Sequence, residues 1–125
     1  MPQQLGRKAT FSGLDVDGNG SVDALTDGVL ITRLMFGVRG EALTEGAIGT
    51  YAFRSEPYQI VDAYFAGNSS RWDVDGDGRV SALTDGVLIT RYMFGVRNYQ
   101  LVQGALGSGA KRTNPYSIVS YLDNL

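Results

Sequence analysis

Apolar residues gather in two dense runs. Val29, Leu30, Ile31, Leu34, Met35 and Phe36 leave too little polar surface for a helix lying free in water. The pattern predicts a buried helix from about Asp27 to Phe36, closed by Gly37 as a C-cap. A second run predicts its twin from Asp85 to Phe94, and each helix packs most simply against the other. A weaker helical pattern covers Gly40 to Gly49, with Ala42, Leu43, Ala47 and Ile48 apolar. Prolines then open two more helices, Pro57 to Phe65 and Pro115 to Leu122. On the first of these Tyr58, Ile60, Val61 and Tyr64 are expected to complete the core. The segments Thr50 to Glu56 and Ser108 to Asn114 read as exposed loops.

These elements come in two sets. DVDGNGSVDALTDGVLITR, starting at Asp15, returns as DVDGDGRVSALTDGVLITR, starting at Asp73, an offset of 58 residues. The same offset pairs Gly37 with Gly95, Gly46 with Gly104, Arg54 with Arg112, Pro57 with Pro115, and Ile60 with Ile118. The chain therefore reads as a tandem duplication. Residues 1–10 form an N-terminal extension, and residues 11–125 form one domain of two repeats, 11–67 and 69–125. The expected fold is all-α: two loop-helix repeats related by a pseudo-twofold axis, with an additional helix in each repeat.

The start of each repeat carries candidate chemistry. A hard cation such as calcium takes six to eight oxygens, and acidic or amide side chains at alternate loop positions can wrap around one ion. Asp15, Asp17 and Asn19 occupy positions one, three and five of the first loop, and Asp73, Asp75 and Asp77 those of the second. Gly20 and Gly78 supply the sharp turn at position six. Ser21 and Arg79, at position seven, ligate through backbone carbonyls, so their side chains are free to differ. Val22 and Val80 are placed to join the loops through a short antiparallel contact. Position nine often ligates through a water, so Asp23 and Ser81 are candidate ligands there, and their difference implies sites of unequal charge and affinity. Position twelve, where an EF-hand loop closes with glutamate, is Thr26 or Thr84, and the acid follows one residue later at Asp27 and Asp85. Asp27 and Asp85 are expected to close the two sites from the first helical turn, with Thr26 and Thr84 as N-caps. Two calcium ions follow as the expected cofactors.

Composition narrows the function. The chain has 125 residues, 43% of them hydrophobic, enough for one modest core. No apolar run is long enough to span a bilayer. The formal charge of -2 comes largely from the acidic loops, so bound calcium would turn it positive. With no histidine and no cysteine, the commonest general base, nucleophile, zinc ligands and disulfides are all missing. The acids outside the loops form no repeated pair, and no enzyme is expected.

Two loops of the D-V-D-G-x-G-x-V type, each leading into an apolar helix, resemble the dockerin family over Asp15 to Gly37 and Asp73 to Gly95. As in a dockerin, no amphipathic helix pattern precedes Asp15. The resemblance implies that Asp15, Asp17, Asn19, Asp27, Asp73, Asp75, Asp77 and Asp85 are calcium ligands. It further implies that the module docks onto a cohesin-like protein. The chain departs from the family in its late closing aspartate and in the distance between its loops. At the family's partner-reading positions it carries Ala24, Leu25, Ala82 and Leu83.

Two classes of function follow. One is a calcium-ordered adaptor that docks another protein in two orientations. The other is a subunit that associates with its own copies in a calcium-stabilised extracellular fibre, lattice or coat. Tyr51, Phe53, Tyr64, Phe65, Tyr92, Tyr99 and Tyr121 exceed what a two-helix core requires, and with Arg39 and Arg97 they are candidate interface anchors. Arg33 and Arg91 are expected to pair with a loop carboxylate, cap a carbonyl or hold an anion, the internal roles ranking first. Glycan or nucleic-acid contact is a third reading. Calcium supply favours an extracellular location, although MPQQLGRKAT lacks the hydrophobic core of a signal peptide.

Overall fold

The computed structural model describes residues 12–125; the expected extension 1–10 lies outside them. The described residues are helical and contain no β-strand. In chain order they form a π-helical turn, Ala24–Gly28, running into α1, Val29–Met35, then the single turn α2, Glu41–Thr44, and α3, Pro57–Phe65. After a 3-10 turn, Ser69–Trp72, come a second π turn, Ala82–Gly86, α4, Val87–Met93, a 3-10 turn, Tyr99–Leu101, and α5, Pro115–Asp123.

The two central helices end as their glycines predict. Gly37 has φ 87°. Its N–H donates to the Leu34 carbonyl at 3.0 Å, and the Val38 N–H donates to Arg33 O at 2.9 Å. Paired bonds of this kind define a Schellman stop. Gly95 repeats it, with φ 94° and the corresponding bonds to Tyr92 and Arg91.

One core serves both repeats. Leu30, Ile31 and Leu34 of α1 and Leu88 and Ile89 of α4 share it with Leu43, Ile60, Leu101, Ile118 and Leu122. Each fully buried leucine or isoleucine contributes on the order of 1.5–3 kcal/mol. The helices meet at Thr32 and Thr90, whose hydroxyls are 3.5 Å apart. The π turn of each repeat also packs against the α-helix of the other. The seam between repeats is filled by Trp72, fully buried, stacked on Tyr64 with centroids 4.9 Å apart, and donating from Nε1 to the Tyr64 carbonyl at 2.7 Å.

Three sequence expectations are corrected here. Tyr58 is 66% exposed. It lies two residues, hence about 200° around the helix, from buried Ile60. Val22 and Val80 are exposed and join through no backbone hydrogen bond, because the repeats meet through their helices. Of the candidate interface anchors Tyr64 lies in the core, 4% exposed, whereas Arg39 and Arg97 are exposed and held in place. Each donates to two carbonyls at the end of the preceding helix, Leu34 and Val38 or Tyr92 and Val96. Cations are favoured at a helix C-terminus, where carbonyls are left over.

Arg33 and Arg91 take the carbonyl-capping role. Arg33 Nη1 donates to Leu43 O and Glu45 O at 2.9 and 2.8 Å. Arg91 Nη1 does the same to Gln100, Leu101 and Gln103. Both tie the connecting segment to the central helix.

Candidate metal centre

The loops fold around their own aspartates. In the first, both Asp15 oxygens accept from amides, Oδ1 from Gly18 and Asn19 and Oδ2 from Gly20. Asp73 plays the same part in the second, accepting from Asp77 and Gly78. These short-range bonds are characteristic of aspartate-glycine turns. They leave the carboxylates facing inward.

The late aspartates reach the loops through the π turns. In an α-helical start the carbonyl of Asp23 would bond four residues on; here it accepts from Gly28, five residues on, at 3.1 Å, and Ser81 O accepts from Gly86 at the same distance. The wider turn absorbs one extra residue. Asp27 consequently lies fully buried against the loop, its Oδ1 accepting from the Asp17 amide at 3.3 Å and its Oδ2 from Asp23 at 3.0 Å. Asp85 receives the amides of Asp75 and Ser81 at 3.2 and 2.9 Å.

Two groups of carboxylates result, Asp15 with Asp17 and Asp27, and Asp73 with Asp75, Asp77 and Asp85. Within each, one oxygen per residue lies within 4.8 Å of the others. Asn19 holds in the first loop the position of Asp77, its Oδ1 accepting from Ser21 N at 3.0 Å. Ser21 and Arg79 are exposed. Asp23 and Ser81 act as N-caps, their side chains accepting from Leu25 and Leu83 at 2.9 and 3.2 Å. This corrects the capping role expected of Thr26 and Thr84, whose buried hydroxyl oxygens have no hydrogen-bond partner. The cap of a turn that starts at Ala24 or Ala82 must sit one residue before it.

A strap missed by sequence reasoning completes each site. Residues 49–54 cross the first loop: Gly49 N donates to Asp17 Oδ2 at 2.7 Å, Phe53 N to Gly18 O at 3.3 Å and Arg54 N to Asp17 O at 2.9 Å. The Arg54 guanidinium then donates to Val16 O and Asp15 O at 2.7 and 2.8 Å. Residues 107–112 repeat the arrangement through Gly107, at 2.6 Å from Asp75 Oδ2, and Arg112, on Val74 O and Asp73 O. The segments expected to be merely exposed loops thus hold the acidic loops through their main chain. The repeated Arg54 and Arg112 were the visible signal.

Burial makes Asp27 and Asp85 poor anions. It pushes Asp27 from 3.8 to about 7 and Asp85 from 3.8 to about 6, with neighbouring carboxylates adding to the rise. Asp15 and Asp75 also move up through burial. Partly exposed Asp77 moves down, chiefly because it accepts the Arg79 amide. A carboxyl raised in the folded state stabilises the fold while protonated, and that contribution is lost as pH rises through the folded value. Metal-free protein should therefore melt lower at pH 7.5 than at pH 5. Protons and metal compete for the same oxygens, so affinity should instead rise from pH 5 to 7. Across this range melting temperatures in chelator should fall with pH while those in saturating calcium stay nearly level; parallel slopes would contradict the assignment.

Fold and site together define a helical protein with two groups of largely buried acidic residues, each able to hold a metal ion. No family model, curated protein or solved structure matches the chain.

Proposed function

We propose that this is a non-catalytic, extracellular calcium-binding module of dockerin-like type, each loop holding one ion and the ordered helices presenting a docking face to another protein. The observation that carries this reading is the convergence of buried carboxylates at two places 58 residues apart, where the hydrogen bonds they accept come from backbone amides. Clustered carboxylates out of water require protons or a cation. An all-oxygen donor set built on irregular loops suits calcium. The ligands on this reading are Asp15, Asp17, Asn19, Asp27, Asp73, Asp75, Asp77 and Asp85, with carbonyls from Ser21 and Arg79.

The docking part is supported by exposed apolar residues that recur in both repeats. Leu25 and Leu83 are 65% and 69% exposed, and Phe36 and Phe94 are 62% and 63% exposed. Such residues at matching positions suit a pseudo-twofold module that binds a partner in either of two orientations. The exposure of Tyr51 and Phe53 in one repeat alone favours a second reading, a subunit that associates head to tail with its copies.

Light scattering in calcium and in excess chelator tests these readings. The adaptor is expected to remain a monomer that expands on chelation. Reversible growth into large particles in calcium would establish the assembling subunit instead. An unchanged radius and mass under both conditions would count against calcium ordering.

A further inference from the structure

The straps differ at one backbone position. In each, the third residue of a tight turn adopts left-handed geometry, the turn being closed by Ala52 N to Gly49 O at 3.3 Å or Ala110 N to Gly107 O at 3.2 Å. Glycine and asparagine suit that position. The second repeat has Gly109 there, at φ 82°, whereas the first has Tyr51, at φ 64°. Tyr51 is the one non-glycine residue with positive φ among the described residues, and it is 93% exposed, so burial of its ring does not offset the strain.

We propose that Tyr51 sets the affinity of the first metal site: closing its strap forces a strained backbone, so the second site fills at lower metal concentration. This rests on the calcium reading above. The strap is bonded to the Asp17 carboxylate and to loop carbonyls, so ligand geometry and strap geometry form together. Without the ion, repulsion among Asp15, Asp17 and Asp27 loosens the loop and lets Tyr51 relax. Left-handed geometry in a non-glycine residue corresponds to about tenfold in an equilibrium. Glycine's greater freedom in the open strap returns about threefold of that. A net effect of about threefold remains. Asn19 in place of the Asp77 carboxylate weakens the first site in the same direction, and substitution at residue 51 separates the two contributions.

Calcium titration of the full chain, followed by NMR at the Gly20 and Gly78 amides, reads each site separately. Tyr51→Gly should tighten the Gly20 site about threefold, and Tyr51→Asn should move it the same way. Tyr51→Ala, which removes the ring but keeps the strained backbone, should leave it within about twofold. Gly109→Ala should weaken the Gly78 site about threefold or more. Unchanged constants in Tyr51→Gly and Gly109→Ala, with both ions still bound, would overturn the role of Tyr51 alone. A higher melting temperature in chelator without a change in affinity would overturn it too, by showing that the strap stays closed without metal. Absence of calcium binding to the unmodified chain would overturn both this inference and the calcium reading.

Discussion

Removing calcium is expected to lower the melting temperature by more than about 20 °C. Each ion present at about a thousand times its dissociation constant stabilises the folded state by about 4 kcal/mol, so two contribute about 8 kcal/mol. A domain of this size shifts by about 3–5 °C for each kcal/mol. The effect is large because without the ion buried carboxylates, Asp27 and Asp85 fully so, are left crowded with no counter-charge. The loops also anchor both straps, so loosening them exposes the connections between the central helices and α3 and α5. Calorimetric scans in calcium and in excess chelator measure the difference; coincident scans would remove the central claim.

Gly107→Ala should lower the affinity of the second site by about a hundredfold, equivalent to about 2.7 kcal/mol. A β-carbon at this position would stand 1.9 Å from Asp77 Oδ2, 2.8 Å from Asp77 Cγ and 3.2 Å from Asp75 Oδ2. In the metal-free protein Asp77 is a partly exposed side chain that can rotate away, so the fold itself loses little. With metal it has to return to the place the methyl group occupies. The variant should therefore show an almost unchanged melting temperature in chelator and one tight site in calorimetric titration. A comparable loss of stability in chelator would mean that Gly107 serves the fold and not the site. Gly49→Ala tests the first site in the same way, against Asn19 Nδ2 at 2.3 Å and Asp17 Oδ2 at 2.9 Å.

Much of the site was legible because its side chains are spelled out twice. Asp15, Asp17 and Asp27 converge, as do Asp73, Asp75, Asp77 and Asp85, and the glycine stops and proline starts fall where local backbone chemistry puts them. The displaced closing aspartate was visible, but the π turn that compensates for it was not, since a widened turn is chosen by packing as much as by local preference. The straps were harder still. Their contacts are made by amides of Gly49, Phe53, Arg54 and their counterparts, and a main-chain donor leaves no mark in residue type. Trp72 escaped notice for a different reason. Its counterpart is Leu14, equally buried but smaller, so the offset of 58 residues gave no hint that an indole fills the seam.

The main-chain grip of the straps also bears on how such a chain evolves. On the calcium reading selection would act on Gly49 and Arg54 and on the backbone angle of residue 51, whereas the side chains of Thr50, Tyr51 and Phe53 make no hydrogen bond to the loop. Drift at those places is filtered weakly, and after duplication the two copies could diverge there, one toward aromatic residues and the other toward Gly109 and Lys111. The strap gives the lineage a site for acquiring new surface chemistry beside an inherited acidic loop, without rebuilding that loop each time.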